Sequence, residues 1–520
     1  MFSTVLSGAV YGIDSYLVHV EADLSPGLPC FVMVGNAGSE VKEAAERVRV
    51  ALKNSGIQIP PVHIAVNISP GDIKKLGTGF DLPVAAAVLA ALGKIPKDVA
   101  AEMLFLGELS LDGTLKPVRG VLPIMACASR AGIRRCIVPT ENKEEASLIQ
   151  EMRAAGMESL KQVIECLQLS EEDRDKAFEA QAAHSCLTKE RREKKEGKPD
   201  FGEIQGQEQA KQAALIAAAG FHHMLLVGPP GAGKTMLARR MPTILPPLTK
   251  EESLEVSSLY SISGRLKKGS ALMVERPFLS PHHTISPQAL SGGGKVPRPG
   301  VISLAHRGVL FLDELPEFKR QTLDLLRQPL EDKEIQIARS SGFFNYPADV
   351  MLVGAMNPCP CGYYPDRNRC RCTPYEIHNY LGHISGPILD RIDLCVLTHK
   401  VEINQLQSSK YGMNSDEMKE RVLTARELQK ERYKGTKLRF NSDLGPGDME
   451  RYCFLGNKEK EMLEKLSHTM DFSARTYHRL LKVARTIADL EGAARIKREH
   501  LAQAVCYRPG DLFDRHKTVM

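Results

Sequence analysis

The apolar residues of this chain recur with two different periods, and the alternation of the two predicts a mixed α/β protein. Short β-rich stretches such as Phe31–Val34 and His63–Val66 alternate with segments whose apolar residues have helical spacing, such as Glu40–Ser55 and Leu82–Leu92. Strands that alternate with helices in this way are typical of a compact α/β domain. We therefore predict such a domain over residues 1–170.

The apolar periodicity fades in residues 171–200. A run of mixed positive and negative charge from Lys189 to Lys198 occupies much of this segment. A segment of this composition cannot bury enough apolar surface to form a core. We predict a charged linker here, either helical or flexible.

Residues 201–400 contain strands that are apolar at almost every position, namely Met224–Val227, Val309–Leu312 and Val350–Ala355. Strands of this kind are typical of a parallel sheet that helices cover on both faces. Beyond them, Glu, Lys, Arg and Leu recur at helical spacing, which predicts a helical lid or bundle over residues 401–520. The expected architecture is therefore α/β and multidomain, with a parallel-sheet core.

Length and composition agree with several water-soluble domains. The chain has 520 residues, and a domain has roughly 150. Its longest apolar runs, such as Leu82–Leu92, fall short of the roughly 18 residues that span a bilayer, so no membrane segment is expected. The N-terminus shows no basic stretch followed by an apolar core, as an export signal would. We therefore expect a cytoplasmic protein.

The strand Met224–Val227 runs directly into a glycine-rich loop and then into a helical pattern. The loop has the spacing of a phosphate-binding loop and consists of Gly228, Pro229, Pro230, Gly231, Ala232, Gly233, Lys234 and Thr235. Glycines let backbone N–H groups turn toward phosphate at the start of a helix. Lys234 is expected to reach the β- and γ-phosphates of ATP, and the Thr235 hydroxyl is expected to ligate Mg²⁺.

Two further apolar strands end in polar residues that suit the same chemistry. Val309–Leu312 is followed by Asp313 and Glu314. Asp313 is predicted to hold Mg²⁺, and Glu314 is predicted to polarise the attacking water, so that ATP is hydrolysed and not only bound. The strand that ends at Met356 delivers Asn357, whose amide can help to orient that water.

The order of these motifs resembles that of AAA+ ATPases. Residues 385–393, with the sequence Ser-Gly-Pro-Ile-Leu-Asp-Arg-Ile-Asp, resemble the magnesium-chelatase group. Residues 276–284 and Asn357–Gly362 resemble the YifB/ComM family of magnesium-chelatase-like ATPases within that group. The resemblance implies a ring, expected to be a homo-hexamer, and makes Asn357 the sensor 1 residue.

The same resemblance implies roles at the nucleotide for two arginines. Arg391 corresponds to the arginine finger that offsets charge on a neighbouring subunit's transferred phosphoryl group. Arg475 lies in Phe472–Arg479, which resembles the sensor 2 segment and would contact the γ-phosphate. The residues alone favour an ordinary place for Arg475 on a helix surface, and only the resemblance favours the nucleotide contact.

In the YifB/ComM family the N-terminal domain is similar to the proteolytic domain of Lon, and Gly107–Gly113 matches that pattern. A Lon-type site needs a serine nucleophile and a lysine that activates it. The stretch Gly77–Leu82, which aligns with the serine loop, contains no serine, and Leu122 or Ile124 stands at the lysine position. Residues 1–170 are therefore expected to be a non-catalytic scaffold.

Four of the twelve cysteines of the chain form a cluster in the sequence, and they are Cys359, Cys361, Cys370 and Cys372. Four thiolates within so short a segment can bind zinc tetrahedrally, although the commoner spacing is Cys-x-x-Cys. The alternative is a reduced loop beside Asn357. A structural zinc would stiffen the loop that follows the sensor residue.

The resemblance to ComM-like proteins implies a DNA motor, either a helicase or a branch-migration enzyme in recombination or transformation. The insert from about Leu254 to Arg298 contains Lys267, Lys268, the pair His282–His283 and a glycine-rich turn, and could present basic loops to single-stranded or branched DNA. The formal net charge of +6 allows such a partner without requiring it. The alternatives are a chaperone-like ATPase that remodels a protein complex, as in magnesium chelatase, and a regulatory scaffold.

Overall fold

The computed structural model describes residues 1–508 apart from residues 37, 76, 188–198, 267–271, 295, 340–341, 402–411 and 471. The charged run from Lys189 to Lys198 and the pair Lys267–Lys268 therefore lie outside the described residues. The described chain is mixed α/β and contains a parallel sheet, as predicted.

The first part of the chain forms a seven-stranded mixed sheet in the order β3-β4-β2-β1-β5-β8-β9, with a short β6–β7 ribbon beside it. The strands are β1 (Phe2–Tyr11), β2 (Asp14–Ser25), β3 (Cys30–Val34), β4 (His63–Ser69), β5 (Met103–Phe105), β6 (Glu108–Leu109), β7 (Leu115–Lys116), β8 (Arg135–Pro139) and β9 (Arg153–Met157). The β1–β2 and β2–β4 pairs are antiparallel, and the other pairs of the large sheet are parallel.

Among the described residues, eight α-helices accompany this sheet, and they are α1 (Ser39–Lys42), α2 (Ala44–Asn54), α3 (Asp81–Ala91), α4 (Lys97–Ala101), α5 (Val121–Arg130), α6 (Lys143–Ala146), α7 (Leu160–Gln168) and α8 (Glu171–Leu187). Helix α3 is buried at every position, which explains why its sequence is apolar on all sides. The segment Glu40–Ser55, predicted as one helix, is divided at Glu43 into α1 and α2.

The second sheet is entirely parallel and has the order β11-β14-β17-β10-β18. Two small antiparallel ribbons, β12–β13 and β15–β16, project from the connections between its strands. The strands of this part are β10 (Met224–Val227), β11 (Phe278–Leu279), β12 (Gly292–Gly293), β13 (Arg298–Pro299), β14 (Val309–Leu312), β15 (Glu334–Arg339), β16 (Gly342–Pro347), β17 (Met351–Met356) and β18 (Leu394–Leu397).

The helices around this sheet are α9 (Glu208–Gly220), α10 (Lys234–Ile244), α11 (Lys250–Ser263), α12 (Pro287–Ser291), α13 (Val301–Leu304), α14 (Arg320–Asp324), α15 (Arg327–Asp332), α16 (Pro374–Gly382) and α17 (Gly386–Leu389). Strand β10 lies between β17 and β18 and is buried at all four positions. Its carboxyl end is therefore held inside the sheet, with a strand on either side.

The last described part is helical, as the spacing of its apolar residues predicts. Its helices are α18 (Ser415–Arg432), α19 (Met449–Tyr452), α20 (Asn457–Met470), α21 (Ala474–Leu490) and α22 (Arg498–Cys506). Val422 of α18 and Ile487 of α21 share one buried cluster with Leu226 of β10. The helical part therefore packs directly against the parallel-sheet core. No described helix is both long and apolar enough to cross a bilayer.

The N-terminal part docks onto the core at two places. The Tyr11 ring stacks on Phe344 of β16 with 4.4 Å between ring centroids. On α11, the Ser261 carbonyl accepts a hydrogen bond from the Gly120 N–H at 3.4 Å, and the Ser261 hydroxyl donates to Glu145. Burial raises the pKa of Glu145. The N-terminal part thus contacts the insert and a hairpin of the core.

A buried ion pair in the N-terminal part gives a stability test. Arg47 of α2 donates from Nε and Nη2 to the two carboxylate oxygens of Asp81, each at 2.8 Å, and the Asp81 side chain is fully buried. Arg47→Ala leaves this carboxylate buried without its partner, so we expect the free energy of unfolding to fall by about 3 kcal/mol. The measurement is urea denaturation followed by circular dichroism.

The control is Arg49→Ala on the same helix, because Arg49 pairs with Glu46 on the surface. Exposed pairs of this kind contribute about 0.5 kcal/mol. Equal unfolding midpoints for the two variants would contradict the assignment of Asp81 as a carboxylate that depends on Arg47.

Candidate functional site

The glycine-rich loop between β10 and α10 has a backbone that its glycines alone allow. Gly231 and Gly233 have φ of +75° and +80°. A Cβ on Gly228 would lie 2.1 Å from Thr398 Oγ1. The loop therefore needs glycine at these positions, and it leads into the start of α10, where free N–H groups favour an anion.

Lys234 lies at the first turn of α10 and folds back over this loop. Its Nζ donates to the carbonyl oxygens of Gly228 at 2.7 Å and Pro229 at 3.0 Å, and to Asn357 Oδ1 at 3.1 Å. Burial lowers the pKa of Lys234, while the nearby carboxylates oppose that shift. The ammonium is thus held over the loop by neutral oxygens that a phosphate group can replace.

Thr235 and Asp313 meet beside this lysine. Thr235 Oγ1 donates to Asp313 Oδ2 at 2.7 Å, and Asp313 Oδ1 accepts from the Glu314 N–H at 3.0 Å. A hydroxyl and a carboxylate oxygen are ligands that Mg²⁺ prefers. These two side chains therefore fit the magnesium site expected from the sequence.

Glu314 is the second residue after β14 and adopts a left-handed backbone conformation, with φ of +52°. Its side chain is 60% exposed, and its Oε2 lies 3.5 Å from His283 Nδ1. The structure thus places Glu314 next to Asp313, with its carboxylate turned to a histidine of the insert. The contact between the Glu314 carboxylate and His283 was not predicted from the sequence.

The cavity that contains the two predicted arginines lies at the other edge of the sheet. Its volume is about 350 Å³, and Arg391, Arg475, His223, Val350 and Asp393 are among its lining residues. The last three immediately precede strands β10, β17 and β18. The cavity therefore lies at the amino ends of these strands, whereas the glycine-rich loop follows the carboxyl end of β10.

Arg391 and Arg475 contact residues of this cavity. Arg391 Nη1 donates to the Pro387 carbonyl at 2.7 Å, and the guanidinium also pairs with Glu331. Arg475 Nη1 lies 3.8 Å from Asp390 Oδ2, and the Arg475 side chain is 67% exposed. Among the described residues, neither arginine forms a hydrogen bond or ion pair with the glycine-rich loop of its own chain.

A third arginine, Arg479, supports this turn and was not singled out in the sequence. Its Nη1 donates to the carbonyl oxygens of Leu389 at 3.2 Å and Ile392 at 2.8 Å, on either side of Arg391. The helix α21 that carries Arg479 thus holds the Arg391 turn in place. Helical spacing indicates which face of α21 is buried, but it cannot indicate this partner.

The four clustered cysteines converge in space. Cys359 Sγ lies 3.3 Å from Cys361 Sγ and 3.7 Å from Cys370 Sγ, and all four sulfurs lie within 4.8 Å of one another. Thiolates that share a tetrahedral zinc at about 2.3 Å are roughly 3.8 Å apart. The donor set therefore fits zinc.

The cysteine loop also touches the glycine-rich loop. Gly362 has φ of +85°, and a Cβ there would lie 2.5 Å from Pro230 Cδ and 3.7 Å from Asn357 Cγ. Only glycine allows this approach. The shape of the cysteine loop is thus tied to Pro230 in the glycine-rich loop.

At the Lon-like positions of the N-terminal part, Leu122 and Ile124 are buried apolar residues of α5. In the aligned loop, Thr78 donates from Oγ1 to Glu108, and Asp81 pairs with Arg47. Within the described part of this loop, the Thr78 hydroxyl is thus hydrogen-bonded to the Glu108 carboxylate, whereas the nucleophile of a Lon-type site is activated by a lysine.

Comparison with known proteins shows similarity over nearly the whole chain. The magnesium-chelatase subunit ChlI family model matches residues 200–406, a second ChlI model matches residues 20–142, and the model of the ChlI C-terminal region matches residues 412–508.

Individual relatives are also similar to this chain over nearly its whole length. The chain is 42% identical to competence protein ComM of Haemophilus influenzae over 97% of both proteins. It is 41% identical to YifB of Salmonella typhimurium over 97% of this chain and 96% of that protein. It is also 34% identical to Lon protease 2 of Bacillus subtilis, over 20% of this chain and 19% of that protein.

Magnesium-chelatase-like AAA+ proteins are oligomeric ATPase-type enzymes that use ATP and Mg²⁺. The near-complete match to ComM and YifB, together with the three ChlI family models, shows that this chain belongs to the YifB/ComM family of magnesium-chelatase-like AAA+ ATPases.

Proposed function

We propose that this protein is a cytoplasmic, homo-hexameric ring motor that hydrolyses ATP to act on single-stranded or branched DNA, as a helicase or branch-migration enzyme in recombination or transformation. The ring is supported above all by one observation, which is that Arg391 lies away from the glycine-rich loop of its own chain. A second copy that presents its cavity edge to that loop would supply the missing cation. The printed name of the ComM relative, a competence protein, supports the link to DNA uptake and recombination.

Each residue around the glycine-rich loop has its own role in the hydrolysis of ATP. Lys234 leaves its carbonyl partners to bind the β- and γ-phosphates, and backbone N–H groups of residues 228–235 bind the phosphate oxygens. Thr235 and Asp313 would hold Mg²⁺, which offsets phosphate charge when bound. Glu314 accepts the proton of the attacking water, and Asn357 orients that water.

The neighbouring subunit completes the site. Arg391 would stabilise the charge that develops on the transferred phosphoryl group, and Arg475 lines the same cavity and would contact the same nucleotide. Arg479 holds the turn that carries Arg391. Because the two candidate arginines lie at one surface, we assign both to the nucleotide of the adjacent subunit.

The two hairpins of the core offer a surface for DNA. Ribbons β12–β13 and β15–β16 pack side by side, because Tyr346 Oη donates to the Pro297 carbonyl at 2.8 Å. Arg298 and Arg339 are exposed on them, and Phe343 is 73% exposed. Exposed guanidinium groups suit the phosphates of a single strand, and an exposed aromatic ring suits its bases.

The domain division that we propose is a non-catalytic Lon-like scaffold at residues 1–170, a linker at 171–200 whose helix α8 packs Phe178 into the core of that scaffold, the ATPase core at 201–400 and a helical lid at 401–520. The alternative function is a chaperone-like ATPase that remodels a protein complex. It is favoured by the ChlI models, since ChlI is a magnesium-chelatase subunit. The two functions differ in whether DNA stimulates hydrolysis.

The first test is steady-state ATPase activity with and without forked DNA. We expect stimulation that weakens as salt rises, because phosphate contacts depend on ionic strength. Lys234→Ala should abolish hydrolysis, and Glu314→Gln should lower kcat about a hundredfold or more while ATP still binds. DNA-indifferent hydrolysis that both substitutions abolish would favour the chaperone-like alternative.

The cysteine cluster is proposed to bind one structural zinc. Elemental analysis of the purified protein should find about one zinc per chain. The double variant Cys361→Ser/Cys372→Ser should lose the metal, whereas Cys506→Ser should retain it because Cys506 is an isolated exposed cysteine. A metal content well below one per chain in the unaltered protein would refute the zinc site.

The contact between the cysteine loop and the glycine-rich loop is proposed to tune nucleotide affinity. Gly362→Ala adds a Cβ that collides with Pro230, so we expect ATP affinity to fall about tenfold, which is about 1.4 kcal/mol. Titration with a fluorescent ATP analogue measures the change. Gly382→Ala is the control, because a Cβ there meets no atom within 4 Å, and equal affinities for both variants would argue against the coupling.

A further inference from the structure

The cysteine loop, residues 359–372, carries three arginines that have no role in the site described above. Arg367, Arg369 and Arg371 are all exposed, and the one acid of the loop is Asp366. Among the described residues, none of the three arginines forms an ion pair. The loop therefore presents an excess of positive charge that its own chain leaves unpaired.

Two of these arginines are held in place before any partner arrives. Arg369 Cζ lies 4.4 Å from the centroid of the Tyr363 ring, and Arg367 Cζ lies 5.9 Å from that of Tyr364. The turn between them is closed by a hydrogen bond of 3.1 Å from the Arg369 N–H to the Asp366 carbonyl. A guanidinium that is already ordered loses less conformational entropy on binding. The loop is thus suited to a partner with fixed negative charges.

The position of the loop indicates which partner it meets. Gly362 packs against Pro230 of the glycine-rich loop, so the arginines lie at the end of the sheet that binds phosphate. The proposed ring turns this end to the neighbouring subunit. Ribbon β15–β16 of the proposed DNA surface instead leads into the amino end of β17, whereas the cysteine loop follows its carboxyl end. The loop therefore faces a second copy of the chain and not the DNA.

The cavity edge that the second copy would present is acidic. Glu331 pairs there with Arg391 and is 61% exposed. Asp390 Oδ2 lies 3.8 Å from Arg475 Nη1 and is part of a side chain that is 52% exposed. If the two arginines turn to the nucleotide of the adjacent subunit, both carboxylates lose these partners. A carboxylate without a counter-charge destabilises an interface, so this edge needs cations from elsewhere.

We propose that the arginines of the cysteine loop dock on Glu331 and Asp390 of the adjacent copy of this chain. The inference rests on the proposed ring and identifies a contact that closes it. Arg391 of one subunit leaves Glu331 for the nucleotide of its neighbour, and Arg367 and Arg369 of that neighbour take its place. Each carboxylate is then paired both in the free chain and in the ring. Release of Arg391 is thereby coupled to assembly.

The test is sedimentation velocity of the full-length protein with Mg²⁺ and the non-hydrolysable analogue AMP-PNP, over a range of chain concentrations. Arg367→Glu/Arg369→Glu should raise the concentration for half-assembly about tenfold or more, because like charges then face one another. Arg49→Glu/Arg130→Glu makes the same change in net charge at exposed arginines of the N-terminal part. This control should assemble as the unaltered protein does.

A charge exchange distinguishes a direct contact from a folding defect. Glu331→Arg alone should also weaken assembly. Combined with Arg367→Glu/Arg369→Glu, it should recover about threefold or more of the loss, because opposite charges again face each other. Two independent folding defects would add instead of cancelling. Thermal unfolding and the zinc content of each variant report directly on the fold and on the cysteine loop.

The outcomes separate this inference from the proposed function. Unchanged assembly of the loop variant would overturn the inference, and so would a charge exchange that recovers nothing. Loss of forked-DNA binding with unchanged assembly would overturn it in favour of a nucleic-acid contact. If the unaltered protein does not assemble with AMP-PNP, the ring fails and the inference with it. If it assembles but ignores forked DNA, only the DNA function fails.

Discussion

The parallel alignment of β14, β17 and β10 is the constraint on which the site depends. Adjacent parallel strands bring their carboxyl ends to one edge, so residues far apart in sequence meet there without any loop having to reach. Asp313, Asn357 and the loop before Lys234 each follow one of these strands. The resulting contacts between Thr235 and Asp313 and between Lys234 and Asn357 are consequences of strand order.

The opposite edge of the same sheet has a different chemistry. It carries Arg391 and Arg475 among acidic partners, including Glu331 and Asp390. Arginines that are paired with carboxylates stay ordered before any nucleotide arrives, and they can exchange those partners for phosphate oxygens at modest cost. In the head-to-tail ring that we propose, one end of the sheet would bind nucleotide and the other end would complete the site of the neighbouring subunit.

The features that the sequence predicted well are those that depend on local backbone chemistry. The glycine-rich loop, the acids after β14 and the convergence of the cysteines follow from spacing and strand ends, because the geometry there is short-range. The contacts made by His283, Arg479 and Gly362 could not be predicted, since each joins segments whose proximity only the tertiary fold decides. The division of Glu40–Ser55 into two helices at Glu43 was not predicted either. A single turn residue between two helices leaves the helical spacing of the apolar residues almost unchanged.

The docking of the N-terminal part has a mechanical consequence. Through the stack of Tyr11 on Phe344 and the contacts at Ser261, this large α/β body is fastened to strand β16 and helix α11. A large body attached to a short ribbon restricts the displacement of that ribbon. Any displacement of β16 relative to the N-terminal body would therefore have to separate the Tyr11 and Phe344 rings or carry the whole body with it, so this one ring contact limits how independently the two parts can shift.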